Sequence, residues 1–215
     1  AIIAVLAIAI QSDDKIIIAG DFTTFNGTSR SRIARLNSNG TIDNSFNPGQ
    51  GANGTIRSVL IDSTGTNIYI GGDFTTYNGI NQNRVARLRL DGSLDTAGFI
   101  NPNDPNSGVN GRVRSLALDS TGRLALVGDF TSVGGLSSQV RIGRLLANGS
   151  ADVGFAATAN NSVLTVAVDV QGNLLVGGDF ATINGLNRTR IARLLPSGEL
   201  DSTINFGTGP NNFVA

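Results

Sequence analysis

Aspartates and arginines are the plentiful reactive side chains of this 215-residue sequence, and their spacing decides what chemistry to expect of them. Two carboxylates flanking a sugar ring are the machinery of glycoside hydrolysis, while a sialidase-type centre needs a tyrosine nucleophile beside an acid and an arginine cluster. The acids here are periodic. Asp21, Asp73, Asp129 and Asp179 form one series, and Asp43, Asp95, Asp152 and Asp201 form another. The arginines follow the same beat as Arg32/Arg35, Arg84/Arg87, Arg141/Arg144 and Arg190/Arg193, and both tyrosines, Tyr69 and Tyr77, fall inside the pattern. A residue present in every repeat cannot mark one active centre. The reading is therefore structural, with ion pairs Asp21–Arg35, Asp73–Arg87, Asp129–Arg144 and Asp179–Arg193 across a hairpin, no catalytic residue and no enzyme.

Composition narrows the classes further. Histidine, cysteine, methionine and tryptophan are all absent. A Ser-His-Asp triad, a Cys-His pair, zinc on His or Cys, haem and iron–sulfur ligation are thereby excluded. Sixteen basic and sixteen acidic residues cancel, with one lysine (Lys15) and one glutamate (Glu199), so no basic field exists for nucleic acid or an anionic membrane. The apolar opening AIIAVLAIAI is too short to span a bilayer, and the repeat accounts for most of it. No cofactor and no metal site are expected. Calcium is the one alternative, at Asp-rich turns such as Asp13-Asp14 or Asn103-Asp104, although no run has the ligand spacing of an EF-hand loop.

The elements that must position these side chains are read from the repeat itself. Gly-Asp-Phe recurs at Gly20 to Phe22, Gly72 to Phe74, Gly128 to Phe130 and Gly178 to Phe180. Each is followed by Ala-Arg-Leu or Gly-Arg-Leu at Ala34, Ala86, Gly143 and Ala192, then by a Gly-containing turn, an aspartate, and a phenylalanine read as Phe46, Phe99, Phe155 and Phe206. Apolar runs open the repeats near residues 5, 56, 113 and 163, and a fifth begins near Val214. Each repeat reads as four short strands, A to D. Asp119-Ser120-Thr121-Gly122 closes a type I turn between A and B, and Asn26-Gly27, Asn78-Gly79, Gly134-Gly135 and Asn184-Gly185 supply positive φ in the B–C loop. The fold class is all-β: one domain over residues 1–215, a β-propeller of four tandem four-stranded blades, either closed or cut from a larger ring or array.

The spaced motifs Gly-Gly-Asp-Phe-x-x-x-Asn-Gly, Arg-x-Ala-Arg-Leu and Asp-Gly-x-Leu-Asp resemble the delta-60 repeat, a propeller-type repeat of large bacterial surface and secreted proteins. The resemblance covers the whole chain, departing at Val127, where other repeats carry Ala19, Gly71 or Gly177, and at the glycine-free turn Ser12-Asp13-Asp14-Lys15. It implies a repeat scaffold without established catalytic residues.

The functional expectation is a non-enzymatic extracellular or cell-surface scaffold for binding or adhesion. A virion or tail-fibre component for host attachment is the alternative, and a glycan-processing enzyme the third reading. Partners expected are a protein or glycan on a surface, and further repeats or another chain at the termini, with neither nucleic acid nor membrane insertion. The candidate binding face carries the B–C loops, with Phe25 and Tyr77 either as aromatic platforms for a sugar or, as the apolar residue kept there in every repeat favours, packed against the neighbouring loop, and the longest insertion, with Asn101, Asn103, Asp104 and Asn106 as hydrogen-bonding groups.

Overall fold

The computed structural model describes residues 4–99 and 107–214. Among them there is no helix, and the elements repeat four times. Blade 1 comprises β1 (Val5–Ile10), β2 (Ile16–Gly20), β3 (Thr24–Phe25), β4 (Thr28–Ser29) and β5 (Ile33–Leu36). Blade 2 comprises β6 (Ile56–Ile61), β7 (Asn67–Gly72), β8 (Thr76–Tyr77), β9 (Ile80–Asn81) and β10 (Val85–Arg89). Blade 3 comprises β11 (Val113–Leu118), β12 (Leu124–Gly128), β13 (Gln139–Val140), β14 (Ile142–Leu145) and β15 (Ala157–Thr158). Blade 4 comprises β16 (Val163–Val168), β17 (Leu174–Gly178), β18 (Thr182–Ile183), β19 (Leu186–Asn187) and β20 (Ile191–Leu194).

In every blade the A, B and C strands form an antiparallel sheet in that order, as in β1-β2-β5. The A strand carries a bulge at its start, where Val5 faces Gly20 but Ala7 faces Ala19. The bulge explains the glycine of Gly-Asp-Phe. A Cβ on Gly20 would lie 2.0 Å from the Ala4 carbonyl oxygen, and one on Gly72 would lie 2.1 Å from that of Thr55. Only glycine admits so close a backbone approach. The phenylalanine beside it then drops into the core, with Phe74 and Phe130 fully buried.

Two local features differ from the sequence reading. The B–C loop is itself a small hairpin in blades 1, 2 and 4, as in β8–β9, closed by Asn78 and Gly79 at φ 48° and 78°. Strand D is reduced to single bridges, Leu36 to Ile42, Leu88 to Leu94, Leu145 to Ala151 and Leu194 to Leu200. The reason lies in the following aspartate. Asp43 Oδ1 accepts from the Ser45 N–H at 2.9 Å and its hydroxyl at 2.7 Å, a local turn that takes the chain out of the ladder.

The chain divides into two compact units, Ala1–Pro105 and Asn106–Ala215, each holding two blades. In the first, Ile17, Ala19 and Ile33 of blade 1 pack with Ile56 and Val59 of blade 2 around Phe46 and Phe74. In the second, Ala125, Val127 and Ile142 of blade 3 pack with Val163 and Val166 of blade 4 around Phe155 and Phe180. The two cores repeat one arrangement, in which the B and C strands of one blade cover the A strand of the next.

Candidate functional site

The periodic charges do pair, but the second arginine of each pair meets the aspartate that follows strand D, not the one that follows strand B. Strand register sets Arg35 opposite Ile17, and its guanidinium reaches outward to Asp43, Nε to Oδ2 at 2.8 Å. The same pair recurs as Arg87–Asp95 at 2.7 Å, Arg144–Asp152 at 2.8 Å and Arg193–Asp201. Aromatic rings lie beneath three of them, Phe46 at 5.3 Å from Arg35, Phe99 at 5.1 Å from Arg87 and Phe155 at 4.6 Å from Arg144. Blade 4 has Ile204, not Phe206, three residues after its aspartate. Asp21 instead meets Arg32 at 3.0 Å, Asp73 meets Arg57 at 2.8 Å, Asp129 meets Arg114 at 2.8 Å, and Asp179 accepts from the Asn161 amide at 3.1 Å. These aspartates sit past the end of strand B, beside the start of strand A. Burial acts to raise the Asp43 carboxyl, yet hydrogen bonds from Ser45 and Lys15 and the charge of Arg35 outweigh it and hold it far below the ordinary range.

The first arginine of each periodic pair has a backbone role. Arg32, Arg84, Arg141 and Arg190 adopt φ between 64° and 69°, in the left-handed region. Arg141 donates its N–H to the Phe130 carbonyl at 3.0 Å and accepts from the Gly128 N–H at 3.1 Å, so it clasps the Gly-Asp-Phe turn to strand C. Its Nη1 also donates to the Ala159 carbonyl at 2.8 Å.

Two of the expected binding residues, Tyr77 and Phe25, lie among the described residues. Tyr77 is fully buried and donates its hydroxyl to the Gly92 carbonyl at 2.8 Å, and burial pushes its phenol well above the usual range. Its backbone forms a bridge with Ala52 in the D–A connection before it, and both residues belong to the core cluster of the first unit. Phe25 is half-buried against the cluster of Ile18, Phe22, Ala34 and Leu36. Asn101, Asn103, Asp104 and Asn106 lie outside the described residues. Tyr69, 4 % exposed, stacks edge-on against Phe99 at 5.5 Å, as a core residue. Among the described residues no three acids gather as a metal site.

What the structure does assemble, twice, is a polar seam between blades. At the first seam the Asn47 N–H donates to the Asp91 carbonyl at 2.6 Å, and the Asn78 N–H donates to the Gly51 carbonyl at 2.7 Å. Asn78 Oδ1 accepts from the Gln50 N–H at 3.0 Å, and the Thr55 hydroxyl donates to Asp21 at 3.1 Å. At the second, the Ala156 N–H donates to Ser197, Asn184 exchanges backbone and side-chain bonds with Thr158 at 2.8 Å, and Ser162 donates to Asp129 at 2.7 Å. The tips of the B–C loops of blades 2 and 4 thus dock on the D–A connection of the blade before them.

Blades 1 and 4 each present one half of this seam unfilled. On blade 1, Val5 and Ile8 are exposed and nothing lies within 4 Å of a Cβ placed on Gly40, whereas one on the equivalent Gly92 would meet the Phe46 ring at 3.0 Å. On blade 4, Leu175 is 42 % exposed where Ile17 and Ala125 are 0 % and 1 %. Beside it opens a cleft of about 110 Å³ lined by Asn187, Ile191 and the loop Asn205 to Gly209.

A family model described as "Domain of unknown function (DUF5122) beta-propeller" matches residues 11–46, 67–97, 120–155 and 172–203. No curated protein is a significant match. Solved structures similar in fold include a streptogramin B lyase, at 16 % identity and TM-score 0.49, and a gluconolactonase from Xanthomonas campestris, at 13 % identity and TM-score 0.49. The alignments cover 92 % and 90 % of this chain, which spans 53 % and 59 % of those proteins. This comparison corrects the expectation of a non-enzymatic surface scaffold or adhesin, since both of these proteins are enzymes. At such identities the likeness concerns the fold, and neither activity passes to this chain.

Proposed function

The chain belongs to the family described as domain of unknown function (DUF5122) beta-propeller, and from that premise we propose that it works by joining its end blades to further blades of the same repeat. The observation that carries this reading is the A strand of blade 1. Val5 and Ile8 are 46 % and 62 % exposed, while the equivalent Ile56 and Val59 are 0 % and 8 %, and Val163 and Val166 are 0 % and 7 %. Each of these positions carries a β-branched aliphatic residue. The difference is that blades 2 and 4 rest against the B and C strands of a preceding blade. Each Å² of apolar surface covered there contributes roughly 25 cal/mol. A neighbour presenting side chains like Ile17, Ala19 and Ile33 fits the face with no new chemistry, and the spaced motifs support the delta-60 type as its repeat.

The matching half on blade 4 gives the test. A copy of residues 57–112 is joined after Val214, whose N–H donates to the Gly178 carbonyl at 3.3 Å where a further A strand would start. Because the sequence lacks cysteine, Leu175→Cys introduces a single thiol. Thiol labelling is expected to slow in the extended chain relative to the 215-residue chain. Equal labelling rates would sink the reading.

A further inference from the structure

The cleft on blade 4 and the docked loop of blade 1 are the same structure, one empty and one filled. Asn205, Gly207, Thr208 and Gly209 correspond residue for residue to Asn47, Gly49, Gln50 and Gly51. Both loops are held by the same internal bonds. The Gly207 N–H donates to Asn205 Oδ1 at 2.8 Å, as that of Gly49 does to Asn47 at 3.1 Å, and the Gly209 N–H donates to the Phe206 carbonyl at 3.2 Å, as that of Gly51 does to Pro48 at 3.0 Å. Their glycines share the left-handed conformation, φ 62° and 74° against 60° and 67°. The two loops differ in what stands in front of them. A Cβ on Gly49 would lie 2.4 Å from the Asn78 side chain, whereas one on Gly207 meets nothing within 4 Å. The loop of blade 4 has therefore taken its docked shape with no blade upon it, which removes the ordering cost of docking.

We propose that this cleft is a receptor for the Asn-Gly turn of a neighbouring blade of the same repeat, the asparagine accepting from the Thr208 N–H and donating its backbone N–H to the Gly209 carbonyl. The inference rests on the blade-joining reading above and adds a selectivity to it. Blades 1, 2 and 4 carry the asparagine, as Asn26, Asn78 and Asn184, all with φ between 46° and 51°. Blade 3 carries Gly134, where a Cβ would lie 2.6 Å from that of Ala151. A blade-3 tip keeps the backbone bond, Gly134 N–H to the Gly108 carbonyl at 2.8 Å, but lacks the side-chain acceptor and so fits this socket less well.

The test uses the chain extended after Val214 by residues 57–112, once as such and once with Asn78→Gly in the appended copy. Glycine keeps the left-handed backbone and removes only the side-chain acceptor. The readouts are amide exchange at Thr208 and thiol labelling at Leu175→Cys. With asparagine at the tip, exchange at Thr208 is expected to slow relative to the 215-residue chain. With glycine, about five-fold of that protection is lost while Leu175→Cys stays covered. Covered thiol with Thr208 exchange indifferent to the tip residue would overturn the receptor and leave blade joining intact. An uncovered thiol would overturn both.

Discussion

Asn78 donates its backbone N–H to the Gly51 carbonyl at 2.7 Å, from one blade into the connection leaving the blade before it. Its side-chain oxygen accepts from the Gln50 N–H, and its φ of 48° is one that asparagine tolerates better than most residues. Asn78→Ala removes an acceptor and strains the turn together, so a loss of about 1–2 kcal/mol is expected. Asn78→Gly relieves the strain and should lose less. Urea midpoints of both variants check the order, and a glycine variant weaker than the alanine variant would contradict it.

Arg144 and Arg193 occupy equivalent positions in different surroundings. The Arg144 side chain is 5 % exposed over the Phe155 ring, whereas that of Arg193 is 30 % exposed with Ile204 in place of the ring residue. Removing one partner from a buried pair costs about 3–5 kcal/mol. Arg144→Ala is expected to lower the thermal midpoint strongly and Arg193→Ala clearly less. Equal shifts would show that burial does not set the strength of these pairs.

At Arg141 the left-handed backbone and the guanidinium bond pull a substitution in opposite directions. Alanine and glycine both lose the bond to Ala159, but glycine alone is unstrained at φ 64°. Arg141→Gly should therefore be about 1 kcal/mol more stable than Arg141→Ala, measured by chemical denaturation. The reverse order would place the residue outside that conformation in solution.

The seam and turn aspartates predict acid sensitivity. Hydrogen bonds from Thr203 and Arg193 lower Asp201 to about 2, and Asp95 and Asp129 are also lowered, hydrogen bonds and neighbouring arginines outweighing their burial. The unfolded chain takes up these protons near the ordinary aspartate value of about 3.9, before the folded chain does, so stability is full above that value and is lost as pH falls through the folded values. Urea midpoints should be flat from about pH 5 to 7 and fall steeply between about pH 4 and 2. A flat profile down to pH 2 would mean that the carboxylates gain nothing from folding.

The repeat, its turns and the buried phenylalanines were legible because each is a local signal: a glycine that admits a carbonyl, an Asn-Gly pair that supplies positive φ. The charge partners were not. Asp21 and Arg35 share a period, but pairing depends on register and on which way a side chain leaves the strand, and Arg57 and Arg114 break the period that drew attention to the others. The burial of Tyr77 was not legible because it belongs to a core built from two blades, and its backbone partner Ala52 comes from the connection leaving the blade before it. Phe206 was aligned with Phe46 by residue type, while the interval after the aspartate assigns that position to Ile204.

The truncated fourth strand has a consequence for behaviour in a crowded solution. A full outer strand would offer a row of free N–H and C=O groups to any passing chain, the usual starting point of edge-to-edge aggregation. Here the ladder beyond strand C ends after a single bridge, and Asp43, Asp95, Asp152 and Asp201 each accept from a backbone N–H within the next three residues. Each blade therefore carries its own strand terminator at the rim, a safeguard for a sequence whose only lysine is Lys15.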